Sequence, residues 1–218
     1  MRTKFDEQLK LLNNEMIHMG NMIEEAIRSA IRAFFDKDTK LAEKIMADDE
    51  AVDQEQKKIE NICFQLLIQR QPVARDLRTI TAAMKMVTDM ERIGDHASDI
   101  SEITVMMADK PEFMNCDDIR QMSAEAVVML LHAIEAYVER DMDKAKEVID
   151  HDDIVDGLFI KVKGELIDAI GKNPDCGEQA ADLLMVNKYL ERIGDHATNI
   201  AEWVIFSLNN VDPDEASK

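Results

Sequence analysis

Eight acidic residues fall in pairs four apart. Glu91 and Asp95 bound the run Glu-Arg-Ile-Gly-Asp, which returns as Glu191 to Asp195 within the longer repeat Glu-Arg-Ile-Gly-Asp-His-Ala. Asp49 with Asp53, and Asp152 with Asp156, repeat the spacing upstream of each copy. On an α-helix four residues turn about 400°, so the members of a pair project side by side, roughly 40° from eclipsed. Like charges so placed oppose the helix, and a multivalent cation removes that cost. Donor sets made only of oxygen suit hard or borderline ions: Mg²⁺, Mn²⁺, Ca²⁺ or iron. His96, His196 and His151 stand beside these acids, and a nitrogen from any of them shifts the preference towards iron or zinc. Asp99 and its counterpart Asn199 extend the two oxygen-rich patches.

A plainer account competes with metal binding. Arg92 can pair with Asp95, Arg192 with Asp195 and Lys188 with Glu191, and exposed ion pairs of this kind contribute little. Spacing alone leaves a metal site and a solvated acidic face as alternatives. Catalytic readings have less support. Neither heptapeptide holds the Glu-x-x-His of di-iron bundles. There is no Gly-rich phosphate loop, no Gly-x-Ser-x-Gly and no Cys/His nucleophile pair. Fifteen Met residues, many at helical spacing, read as core. Met16-Ile-His-Met19 with Met22 is a candidate soft partner surface.

The elements that must carry these pairs are helices. Leu12, Met16, Met19, Ile23, Ala26, Ala30 and Ala33 recur at steps of three and four, predicting a helix over 5–35. Asp38 or Thr39 suits the N-cap of a second helix, 40–70, with Ile45, Val52, Ile59, Ile62 and Leu66 on its apolar stripe. Pro72 ends it. A third helix from Val73 carries Ala83, Met86, Met90, Ile93, Ala97, Ile100 and Met107. Three more are predicted over 116–139, 143–171 and 175–209, the last with Leu183, Val186, Leu190, Ile193, Ala197, Ile200 and Val204. Asp53 follows Val52 and Glu91 follows Met90, so the acid pairs belong at the edge of the apolar seam.

The repeat reaches beyond the heptapeptide. Ala30-Ile-Arg-Ala-Phe34 matches Ala133-Ile-Glu-Ala-Tyr137, Asp38 matches Asp141, and Asp49–Asp53 matches Asp152–Asp156, all 103 residues on. The heptapeptides are 100 apart, which implies a net loss of three residues before the last helix. An internal duplication is the simplest account. The expected fold is all-α: two tandem antiparallel three-helix bundles, 1–110 and 115–210, with 211–218 a frayed tail. Few Gly (seven), few Pro (four) and 46% hydrophobic residues agree with long helices around a core.

A net charge of −19 disfavours nucleic acid and direct membrane binding. It favours cations and basic protein surfaces. Cys63, Cys116 and Cys176 are odd in number with no Cys-x-x-Cys pair, pointing to a reducing compartment. With no signal peptide and no run of about 18 apolar residues, a cytoplasmic location is expected.

With those residues in view, the chain resembles the PhoU family of phosphate-transport and phosphate-signalling regulators. The resemblance rests on Gln71-Pro-Val-Ala-Arg-Asp-Leu-Arg78, on Glu-Arg-Ile-Gly-Asp in both halves, and on Asp-x-x-x-Asp one helix earlier. It implies surface metal ions on Asp49, Asp53, Glu91 and Asp95, then on Asp152, Asp156, Glu191 and Asp195. It implies a homodimer, and partners in the phosphate ABC transporter ATPase and its sensor kinase, whose activity it restrains when phosphate is plentiful. Tyr189 stands where the first half has Asp89, and Asn199 where it has Asp99, so the two sites are not expected to be occupied identically. The alternatives are a metalloenzyme or metal-storage bundle using the same acids, and an interaction module whose acids serve only solubility.

Overall fold

The structure, a computed structural model, describes residues 2–70, 72–111, 114 and 116–209. The expected tail, 211–218, lies outside them. Six helices follow in order: α1 (Arg2–Asp36), α2 (Thr39–Arg70), α3 (Ala74–Met107), α4 (Asp117–Glu139), α5 (Met142–Lys172) and α6 (Gly177–Leu208), with a 3₁₀ turn at Pro174–Cys176. No strand occurs among the described residues.

The two α-α turns show the duplication at the level of single hydrogen bonds. Lys37 and Arg140 are left-handed, at φ 53° and 56°, and end α1 and α4. The next residue folds back in each case: Asp38 N–H donates to the Ala33 carbonyl and Asp141 N–H to the Ala136 carbonyl, both at 2.9 Å. The same aspartate then starts the following helix. The Asp38 carboxylate accepts from Leu41 N–H at 3.1 Å, and that of Asp141 from Asp143 and Lys144 N–H at 2.9 and 3.0 Å. One residue thus closes one helix end and caps the next.

Helix α2 packs on α3 and α5 on α6, making two three-helix bundles with α1 and α4. The most extensive pairing, however, joins the bundles: α3 against α6. Asp89 meets His196 and Asn199, while His96 stacks on Tyr189, so α3 and α6 cross antiparallel with the repeated heptapeptides facing each other. One continuous cluster of buried side chains runs through both bundles. All seven stripe residues of α6 are buried. Elsewhere Ile27, Cys63 and Val87 join the core, and Ala26, Ile62 and Met107 are only half-buried. Met16 and Met19 are 1% and 0% exposed, which overturns a Met partner surface there: the helical period that spaces them turns them inward.

Candidate metal centre

The acid pairs meet where α2 crosses α3 and α5 crosses α6, and a glycine makes each crossing close. A Cβ on Gly94 would stand 3.1 Å from Val52 Cγ1 and 3.7 Å from Asp49 Oδ1. On Gly194 it would stand 3.2 Å from Asp152 Oδ1 and 3.3 Å from Val155 Cγ1. The glycine of Glu-Arg-Ile-Gly-Asp therefore lets the neighbouring helix lay its aspartate against the α3 or α6 backbone, within reach of the Glu and Asp on either side.

In the first half, one carboxylate oxygen from each of Asp53, Glu91 and Asp95 lies within 4.8 Å of the other two. All three side chains are half-buried. Metal–oxygen bonds of about 2.0–2.6 Å let one ion bridge oxygens at such separations, so the donor set fits a hard cation. Asp49 stands beside the group. Burial, then the charges of Asp95, Asp53 and Asp99, push its carboxyl up from 3.8 to about 6. Burial and the neighbouring Asp95 also raise Glu91. Arg92 is the local counter-charge, 3.5 Å from Glu91 and 3.0 Å from Asp95, but its side chain is 56% exposed and free to swing aside.

The second half is built from the same parts and tied differently. Burial, then Asp156, Asp195 and Glu191, push Asp152 up to about 6, and Asp152 Oδ1 is buried without a hydrogen-bond partner. Asp195 is raised by burial and by Glu191. Lys188 is bonded to Glu191, however, and no group as compact as Asp53, Glu91 and Asp95 forms among the described residues. Arg192 makes no ion pair with Asp195 there. The orphaned Asp152 oxygen fits a cation, while Lys188 already engages the neighbouring Glu191.

Of the two residues expected to extend the patches, Asn199 is engaged across the α3–α6 seam, while Asp99 pairs within α3 and its charge still reaches Asp49. Asn199 Nδ2 donates to Asp89 Oδ1 at 3.1 Å, and Asp99 lies 3.4 Å from His96 Nδ1. Two histidines are also engaged: His196 Nδ1 is 2.9 Å from Asp89 in that seam, and His151 Nε2 on α5 is 2.8 Å from Glu125 on α4. His96 is buried, which lowers its pKa, and its Nε2 has no partner.

Comparison with known proteins bears on the whole of this arrangement. The family described as PhoU domain matches residues 16–104 and again 119–204, one match for each bundle. The chain belongs to the PhoU family. It is 38% identical over 208 residues to a phosphate-specific transport system accessory protein PhoU homolog of Clostridium acetobutylicum, covering 95% of each chain. A homolog so described from Borreliella burgdorferi is 34% identical over 212 residues, covering 94% of this chain and 95% of that one. The fold superposes on crystalline PhoU from Pseudomonas aeruginosa with a TM-score of 0.90, at 31% identity over 94% of this chain and 98% of that one. For a phosphate transport system regulatory protein PhoU from Streptococcus pneumoniae the TM-score is 0.86, at 26% identity over 93% and 96%.

In this PhoU chain, linear reading took Asp89 only as a difference between the halves and missed its bonds to His196 and Asn199, along with the spacing role of Gly94 and Gly194. Asp89 has no acidic counterpart, since Tyr189 occupies its place, and its partners lie 107 and 110 positions away on another helix. A signal was present: the heptapeptide contains a lone Gly inside a strongly helical run, which marks close packing when it is not a cap.

Proposed function

We propose that this PhoU-family chain is a cytoplasmic regulator of phosphate uptake and of the phosphate-starvation response, acting by binding and not by turnover. Its relatives are described as accessory proteins of phosphate-specific transport, and the likeness spans nearly the full length of both chains. The partners proposed are the ATPase of the phosphate ABC transporter and its sensor kinase, met by a homodimer. Metal ions held on the carboxylate clusters complete the reading. The observation that carries the metal is the group of Asp53, Glu91 and Asp95 oxygens within 4.8 Å of one another. Iron, zinc, manganese and magnesium are the candidates, with the all-oxygen set favouring the harder ions.

The test is genetic. Deletion is expected to derepress phosphate-starvation genes in phosphate-replete cells, and the wild-type gene to restore repression. An Asp53→Asn, Glu91→Gln, Asp95→Asn variant is expected to restore it incompletely and to purify with less bound metal. Normal repression in the deletion strain would overturn the regulatory reading. Equal metal content in the variant would overturn the site.

A further inference from the structure

The groove between α1 and α4 is basic on a protein whose net charge is −19. It is an open trough of about 450 Å³ edged by Arg28, Arg32 and Arg120. Phe35 and Arg120 form a wall shared with a second cavity of about 220 Å³, whose lining includes Phe34, Met107 and Leu183 as well as Lys37 and Lys110. Much of the positive charge at the edges is already answered. Arg28 pairs with Glu24 at 2.8 Å, and Lys110 with Glu178 and Asp182 at 2.9 and 3.1 Å. The Lys37 ammonium donates to the Lys110 carbonyl at 2.7 Å. Arg32 and Arg120 differ, since neither makes an ion pair with another described residue. The Arg120 guanidinium instead lies 3.8 Å from the centroid of the Phe35 ring. Asp36 borders the trough and Asp117 the cavity.

We propose that this groove receives an acidic stretch of a partner protein, with carboxylates on Arg32 and Arg120 and one apolar side chain seated in the cavity behind Phe35. The charges argue for it. A planar guanidinium matches a carboxylate with two parallel hydrogen bonds, and one held on an aromatic face loses less freedom when it binds. A strongly acidic surface repels such a segment elsewhere, so two unanswered arginines side by side form a local address. The cavity argues for the second half of the ligand. At about 220 Å³, with Phe34, Phe35, Met107 and Leu183 in its lining, it has room for one apolar side chain. A small inorganic anion would satisfy the arginines and leave that cavity unused. This site stands apart from the carboxylate clusters and does not depend on the metal or phosphate reading, which is tested in cells.

The experiment uses the full chain and a fluorescein-labelled peptide of alternating Asp and Glu around one Phe, followed by anisotropy at low and at physiological salt. Binding is expected, weakening as salt rises. Arg32→Glu with Arg120→Glu should weaken it by about tenfold or more, the loss of two exposed ion pairs. Arg75→Glu with Lys85→Glu makes the same change in net charge at residues that do not line the groove, and should leave affinity within about twofold. Replacing the peptide Phe by Ala should also weaken binding. If charge reversal disturbs the melting curve, the Gln versions of Arg32 and Arg120 take its place. Absence of binding at low salt, or equal losses from the two variant pairs, would overturn the proposal. So would a peptide Phe that makes no difference while inorganic phosphate competes fully, which would assign the groove to a small anion.

Discussion

His196 Nδ1 lies 2.9 Å from Asp89 Oδ1, although the two residues are 107 positions apart. Asn199 donates to the same oxygen, so a single carboxylate of the first bundle holds two side chains of the second. Asp89→Ala removes both bonds and leaves two polar groups at the seam without their partner. A loss of about 1–3 kcal/mol is expected by urea unfolding, nearer the lower figure because these side chains are partly exposed. Asp89→Asn keeps an accepting oxygen and should lose less. No change in the Ala variant would mean the bundles are joined by apolar contact alone.

Metal should stabilise the two halves unequally. An ion at about 100 times its Kd adds about 2.7 kcal/mol, provided the unfolded chain does not bind it. At this chain length each kcal/mol raises Tm by about 2–4 °C. Mn²⁺ or Mg²⁺ is therefore expected to raise Tm by several degrees in the wild type. Asp53→Asn, Glu91→Gln, Asp95→Asn should abolish most of that gain. The corresponding changes at Asp156, Glu191 and Asp195 should remove less, because Lys188 already engages Glu191. Scanning calorimetry with and without chelator decides it, and equal losses from both sets would refute the asymmetry.

The pH dependence follows from the crowded acids. Asp49 and Asp152 titrate near 6 in the folded protein against 3.8 for the free side chain, and Glu91 and Asp195 are also raised. Between those values the folded state holds protons that the unfolded state has released. Stability is therefore greatest below the unfolded value for these groups and falls as pH rises through about 6. In chelator, Asp49 and Asp152 pull Tm down between about pH 5 and 7.5 as their protons leave, opposed by His96, whose lowered pKa adds stability as pH rises. Asp49→Asn with Asp152→Asn should flatten that decline, and added Mn²⁺ should flatten it in the wild type. A pH slope left unchanged by the two Asn substitutions would contradict the assignment.

Glycine positions on this fold separate into two kinds. At Gly164 an added Cβ meets nothing within 4 Å, so Gly164→Ala should stabilise the α5 helix by about 0.8–1 kcal/mol. At Gly94 and Gly194 the same propensity gain is opposed by contacts of 3.1–3.3 Å with Val52, Val155 and Asp152. Overpacking of this sort typically costs about 1–3 kcal/mol, so Ala there should be neutral to destabilising and Leu clearly destabilising. Denaturant midpoints test the contrast. A Gly94→Leu protein as stable as the wild type would show that the crossing is not close-packed.

Much of this architecture is legible in the linear chain because its signals are local. Three-and-four spacing marks the core face of each helix, and all seven stripe residues of α6 are buried as that spacing requires. Asp38 and Asp141 announce helix starts because a capping carboxylate bonds within three residues of itself. The four-residue acid spacing places each pair on one helix face. Adjacency of the second and third helices follows from short connections.

What linear order could not supply is everything set by the crossing of α3 with α6. Helical periodicity specifies which face is apolar but not which other apolar face covers it. The two bundles therefore read as separate units, whereas their burial is shared through one cluster. The same limit hid the pairing of Asp89 with His196 and the basic groove between α1 and α4, each assembled from residues about 90 or more positions apart. Sequence by itself determined the helices and their caps, because those depend on neighbours a few residues away, and the repeat, because matching residue types needs no contact between them. Only the tertiary structure decided that Asp53, Glu91 and Asp95 converge while Asn199 turns to Asp89 across the seam, because convergence depends on how closely Gly94 lets two helices approach.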